Sequence, residues 1–299
     1  MALIPGAKVL QTFFKNIDKA ARNWEESLVD HVRRVSGPLA ARMLVQMGLD
    51  TKTTAPFGLF DNACGAGAVA AALDGLVQPE VLRLSHVLCG DFSEPVIGLV
   101  KKRITSEGWV NTEAKVVDAQ TNGLASGNFT HVTTNIGFHV VPDSKAALDE
   151  TLRVLKPGGV LGFTTWHKTP GWASEVEAAF KAFPFPAPML TPPLQTTTWG
   201  DWGDVNWVRQ TLVDRGLEEV QVEVFEYQSR VDSADHFVTS TSMMIDWVTN
   251  SSWSEELRKE HGKEEVYGLI KDFLEKRYDG KPWDISWSAL VATGRVPSD

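Results

Sequence analysis

Cysteine is scarce in this chain: 299 residues carry only two, Cys64 and Cys89. Two thiols exclude a disulfide framework, and with it the small secreted scaffolds that rely on one. No stretch approaches the roughly 20 apolar residues needed to cross a bilayer. Lys8 interrupts the short apolar opening, and no small-residue cleavage site follows it. A positive excess is missing too, since 29 Lys and Arg stand against 38 Asp and Glu, a net charge of −9. Neutralising a phosphate backbone takes clustered basic residues. The run Lys101-Lys102-Arg103 is too short for that and reads as a solvated helix face. No His/Cys/Asp cluster has metal-ligand spacing, so no metal is expected. These absences leave a cytoplasmic protein with no nucleic-acid, membrane or obligate protein partner.

What remains is ordinary for a globular domain, with 43% hydrophobic and 22% charged residues. Apolar positions at helical spacing predict helix over residues 8–47. From Gly58 the texture changes to alternating short strands and helices. The strand candidates are Gly58–Ala63, Leu84–Asp91, Ala114–Asp118, His131–Ile136 and Val160–Trp166. Helices are read at Ala68–Leu76, Ser93–Glu107 and Asp143–Leu155, the last stopping before the turn Pro157-Gly158-Gly159. Such alternation predicts βαβ crossovers and a mostly parallel sheet. Residues 184–204, rich in Pro, Thr and Trp, read as a long loop. Beyond it come a strand at Val220–Phe225, helices at 234–250 and 254–278, and a last strand at Ser286–Gly294. The simplest organisation is one domain over 1–299. Residues 1–50 form a helical N-terminal cap, 57–166 a cofactor-binding core, and 167–283 a lid with helices inserted before the last strand.

The sharpest signal is Asp61-Asn62-Ala63-Cys64-Gly65-Ala66-Gly67, placed where a strand gives way to a helix. Glycines there let the backbone approach a ligand closely, and open α/β sheets bind ligands at their carboxyl edge. Gly65, Gly67 and Ala70 also satisfy the G-x-G-x-x-G/A dinucleotide pattern, so this run alone leaves two readings. Asp91 ends the second strand, where a carboxylate can accept from both ribose hydroxyls and Phe92 can lie on an adenine face. Asp118-Ala119-Gln120 ends the third strand, where it can read the adenine amino group. Asn135-Ile136-Gly137-Phe138 ends the fourth. Together these strand ends form one edge lined for a nucleoside.

The order D-x-A-C-G-x-G, G-D-x-S, D-A and L-K-P-G-G resembles the class I S-adenosylmethionine-dependent methyltransferases. Leu59–Val69, Cys89–Glu94 and Glu107–Asn111 are similar to fungal small-molecule enzymes of the gliotoxin thiomethyltransferase type. The resemblance implies a Rossmann-like, seven-stranded α/β sheet with helices on both faces and a reversed last strand. It implies S-adenosylmethionine as cofactor, with Gly65 and Gly67 at its amino-acid part, Asp91 at the ribose, Phe92 and Asp118 through Gln120 at the adenine, and Asn135 and Ile136 near the sulfonium. The expected activity is methyl transfer to sulfur, oxygen or nitrogen of a small, apolar or aromatic acceptor, in fungal secondary metabolism.

His139 follows the fourth strand, where the acceptor should approach, and is the candidate base; in this family type a Gln is expected there. His167 has a lesser claim, and His31 and His236 more remote ones. Nine of the 11 tryptophans lie from Trp166 onward, and several could wall an apolar pocket. Trp24, Phe138, Trp166, Trp172 and Met243 are the candidate substrate residues. A cofactor-binding protein without transfer, serving as cyclase or regulatory partner, and an NAD-dependent oxidoreductase are the alternatives. The Asp118-Ala119-Gln120 strand end and the absence of a Tyr-x-x-x-Lys pair weigh against the latter.

Overall fold

The computed structural model describes residues 5–20, 24–191 and 194–298. Seven strands form one sheet: β1 (Gly58–Asn62), β2 (His86–Asp91), β3 (Thr112–Val116), β4 (Phe129–Asn135), β5 (Leu155–Trp166), β6 (Glu218–Val231) and β7 (Trp283–Arg295). Their order across the sheet is β3-β2-β1-β4-β5-β7-β6. The first five run parallel, and β7 pairs antiparallel with both β5 and β6. The order reverses between β1 and β4, and a crevice at their carboxyl ends follows from that reversal.

Strand alternation divides the core. Leu59, Val87, Cys89 and Val291 face one side, where they pack on helices Gly37–Gln46, Ala68–Leu76 and Glu94–Glu107. Phe60, Leu88, Leu290 and Ala292 face the other, against helices Ser144–Val154 and Val205–Val213. Period-two burial on both faces is what a covered parallel sheet requires. A third apolar cluster joins helices Gly171–Lys181, Ala234–Ser252 and Lys263–Tyr278 to the far ends of β6 and β7. No described helix is long and apolar enough to cross a membrane.

Four element assignments differ from the sequence reading. The predicted helix over 8–47 is divided: Pro5–Lys15, Ile17–Ala20 and Trp24–His31 precede a π-helical turn at Val32–Ser36, and Gly37–Gln46 follows it. Pro38 has no N–H to continue the ladder, and Gly37 N–H bonds Val32 O five residues back. Two carbonyls of this wide turn are taken by side chains, Val35 O by Tyr227 Oη (2.8 Å) and Ser36 O by Asn135 Nδ2 (3.0 Å). Second, β5 begins at Leu155, which pairs with Phe129, so Pro157-Gly158-Gly159 lies within a register shift of the strand instead of before it. Third, β6 runs through Val231 and β7 starts at Trp283, because they pair with each other along their whole length. The predicted helix 254–278 is broken before Lys263, with Gly262 as the N-cap of the second piece.

Candidate active site

A cavity of about 340 Å³ opens along the carboxyl edge of β1, β2 and β4 and is roofed by the N-terminal helices. Its size falls in the range of small-molecule sites. Two strands end in strained backbone there: Ala63 has φ 59° after β1, and Ile136 has φ 56° after β4. A β-branched residue in the left-handed region is costly and persists where the surroundings enforce it. Here Thr164 does so, its hydroxyl and carbonyl oxygens both accepting from Ile136 N–H at 2.9 and 3.0 Å.

Asp91 is the centre of the polar edge. It is buried, and its two oxygens accept from Gly65 N–H and Ser93 N–H, each at 3.0 Å. Burial raises its pKa, while the backbone donors of Ser93, Gly65 and Phe92 pull it back down. One bond per oxygen leaves lone pairs for further donors. The Ser93 hydroxyl donates to Phe14 O (2.6 Å), which ties the first helix to the end of β2. Beyond β3, Asp118 Oδ1 accepts from Gln120 N and Nε2, both at 2.9 Å, and Gln120 Oε1 accepts from Asp143 N–H.

Of the cofactor residues named from sequence, Ala63, Gly65, Asp91, Phe92, Asp118, Ala119, Gln120, Asn135 and Ile136 all line this cavity. Asp61, Asn62 and Gly67 do not. Asp61 is buried, accepting from Thr133 Oγ1 (2.9 Å), and burial together with the Asp91 carboxylate pushes its pKa up to about 7. Asn62 donates to Thr151 Oγ1 at 3.1 Å. Gly67, at φ 85°, packs on the Trp109 indole, where an added Cβ would lie 2.9 Å from the ring. Arg103 stacks on the same indole at 4.8 Å, donates to Ala66 O and pairs with Glu107. The Glu107–Trp109 segment is thus the buttress of the glycine turn. Gly67→Ala is expected to cost about 2–4 kcal/mol through left-handed strain plus overpacking. Denaturant unfolding measures it, and a loss below about 0.5 kcal/mol would show that Trp109 yields freely.

Of the proposed substrate residues, Trp24, Trp166, Trp172 and Met243 line the cavity. Phe138 does not: it is fully buried, stacked on Trp202 (4.9 Å) and edge-on to Phe163 (5.1 Å), so it is core. His139 lines the cavity and is 4% exposed, and its Nδ1 has no partner among the described residues. Burial alone pulls its pKa down to about 4. His31 lines the same cavity and is likewise lowered to about 4.

Sequence reasoning named His236 only as a remote candidate base and missed the polar group that closes the roof with it. Arg34 donates to Asp30 (2.8 Å) and Asp232 (2.7 Å). His236 Nε2 lies 3.0 Å from Asp30, and its Nδ1 accepts from Asp232 N–H. The i,i+4 spacing of Asp30 and Arg34 was readable, but nothing local announces partners about two hundred positions away. Among the described residues, no group of three His, Cys, Asp or Glu side chains could hold a metal.

The buried groups set a pH dependence. His31, His131 and His139 are each lowered to about 4, so the unfolded chain binds more protons than the folded one between about pH 4 and 6.5. Stability therefore rises with pH across that window. Asp61, raised to about 7, and Asp91, also raised, run the other way, losing stability as pH rises above about 4. With three imidazoles against the two carboxylates, unfolding at pH 4.5 and 6.5 is expected to show greater stability at 6.5. In Asp61→Asn the climb should steepen.

The strand order and the cavity on its carboxyl edge define a Rossmann-like class I methyltransferase fold. A family model described as a methyltransferase domain matches residues 60–163. Methyltransferase tpcH of Aspergillus fumigatus is 30% identical over 267 residues, covering 88% of this chain and 93% of that protein. The acetylaranotin bis-thiomethyltransferase of Aspergillus terreus is 28% identical over 268 residues, with 88% and 91% covered. Phosphoethanolamine N-methyltransferase 2 of Haemonchus contortus, solved with S-adenosyl-L-methionine, superposes with a TM-score of 0.56 at 12% identity, over 97% of this chain and 60% of that one; that likeness is one of fold. The chain belongs to the methyltransferase family.

Proposed function

We propose that this enzyme moves the methyl group of S-adenosylmethionine to a small apolar or aromatic acceptor, with a thiol as the favoured nucleophile, in fungal secondary metabolism. The observation that carries this is the joining of two chemistries in one cavity. A nucleoside-type edge around Asp91 and Asp118 meets a wall of Trp166, Trp172 and Trp287. Asp91 would take the ribose hydroxyls, Phe92 and the Asp118–Gln120 turn the adenine, and Gly65 the amino-acid end. Bound there, the cofactor supplies an electrophilic methyl on a sulfonium that departs as a neutral thioether.

The protein's own contribution is placement. Holding the acceptor atom about 3–3.5 Å from the methyl and in line supplies much of the acceleration. His139 stays neutral at pH 7 and can take a proton, but an imidazole lowered to about 4 is a weak base. That suits an acceptor that ionises readily, such as a thiol with a pKa of about 8.5, better than a phenol at about 10. The thiol preference agrees with the name of the Aspergillus terreus relative.

Calorimetric titration with S-adenosylhomocysteine and NAD in parallel is the test, followed by labelled methyl transfer to thiol and phenol acceptors. Binding of the former at about micromolar affinity, near −8 kcal/mol, is expected. Binding of NAD alone would overturn the reading, and cofactor binding with no transfer to any acceptor class would reduce it to a binding protein.

A further inference from the structure

A second cavity, of about 540 Å³, adjoins the first. The two share His139, Trp166, Pro170 and Leu194, so these four side chains form the partition between them. The inner chamber offers the acceptor mainly indole and aliphatic surface. The outer one mixes apolar side chains with His167, Lys168, Thr169, Gln195, Asp201 and Asp204, and most of the polar atoms left free there are acceptors. His167 Nδ1–H donates to Gly203 O at 2.8 Å, so in the neutral ring Nε2 is the free acceptor. Gln195 Nε2 donates to Gly200 O, leaving Oε1 without a donor among the described residues. Asp201 and Asp204 each spend one oxygen on a backbone N–H and keep the other. Lys168 reaches to Glu226 and its side chain is 64% exposed. Independently of these groups, His139 is buried at the partition with Nδ1 unpartnered.

We propose that the outer cavity is a second subsite for the acceptor, holding a distal part that carries hydrogen-bond donors such as hydroxyl or amide N–H groups. This rests on the transfer reading above and narrows its substrate class: an apolar reactive end, then a donor-bearing tail that passes His139. A tail of carboxylate or phosphate is disfavoured, because Asp201 and Asp204 carry like charge and the lining ammonium of Lys168 is already paired with Glu226. Leaving the acceptors of the outer cavity unpaired on binding penalises a tail without donors.

Three thiols test this on the full chain loaded with S-adenosylhomocysteine: thiophenol, 4-mercapto-N,N-dimethylbenzamide, and N-(2-hydroxyethyl)-4-mercaptobenzamide. The hydroxyethyl amide is expected to bind at least about tenfold more tightly than the dimethylamide by calorimetry. In Gln195→Leu and Asp201→Ala that ratio should shrink toward one. Equal affinity of the two amides for the unaltered protein would overturn the proposal, whatever the variants do. Labelled methyl transfer run on the same thiols separates the two claims. A binding preference without transfer would sink the transfer reading alone, and transfer without a preference would sink the outer subsite alone.

Discussion

Asp91→Ala is expected to weaken S-adenosylhomocysteine binding by about 3–6 kcal/mol, two charge-assisted hydrogen bonds at about 1.5–3 kcal/mol each. At one oxygen Asp91 holds Gly65 N–H, and at the other Ser93 N–H. Alanine would thus remove the proposed ribose acceptors and also free the glycine turn held by Asp91. Asparagine is not expected to rescue, because its NH2 group would point at one of those two backbone N–H donors. The unaltered protein should gain about 2.7 kcal/mol of stability at a ligand concentration one hundred times Kd, and the variant almost none at the same concentration. Calorimetry and ligand-dependent melting read the two effects separately. Retained affinity in Asp91→Ala would move the ribose elsewhere and remove the main argument for the site.

Burial of this carboxylate also fixes how binding responds to acid. Its pKa is raised by burial, so a proton competes for it above the ordinary range for an aspartate. Cofactor affinity is therefore expected to fall earlier on acidification than a solvent-exposed aspartate would produce.

The parts of the site legible in the sequence are those set by local backbone. The glycine turn, Asp91 and the Asp118–Gln120 turn each follow a strand within a few residues, so short motifs located them. Gly67 and Phe138 sit in the same motifs yet face away from the cavity, since neighbouring residues in a tight turn point to opposite sides. A motif gives membership of the turn without giving direction. The Asp30, Arg34, Asp232 and His236 cluster was illegible for a different reason. Its members come from the N-terminal helical segment and from the passage from β6 into helix Ala234–Ser252, and only tertiary packing joins them. The far half of β6 escaped notice because an edge strand with one wet face carries polar residues at every second position, and no element was assigned to Glu226 through Arg230. The Pro38 break in the N-terminal helix was open to reading, but the helical spacing on either side of it masked the interruption.

The loop that walls the outer cavity depends on one side chain, and removing it is the second large effect expected. Trp202 is 1% exposed, stacks on Phe138 at 4.9 Å and meets Phe163, Trp199 and Trp207 edge-on at 5.6, 5.7 and 5.2 Å. Its Nε1 donates to Ser144 Oγ at 3.2 Å, at the start of helix Ser144–Val154. Trp202→Ala is expected to cost about 3–5 kcal/mol, for the lost burial plus the cavity left between four rings. At about 2–4 °C per kcal/mol the melting temperature should drop by roughly 6–20 °C. Trp202→Phe keeps an aromatic face for Phe138 and should cost less, leaving Ser144 to find another partner. Gly203 and Asp204 follow directly in the chain, so even where the alanine variant remains folded it should lose the preference for donor-bearing tails. A melting temperature lowered without that loss would mean that the outer cavity is shaped by its own hydrogen bonds and not by the aromatic cluster beneath it.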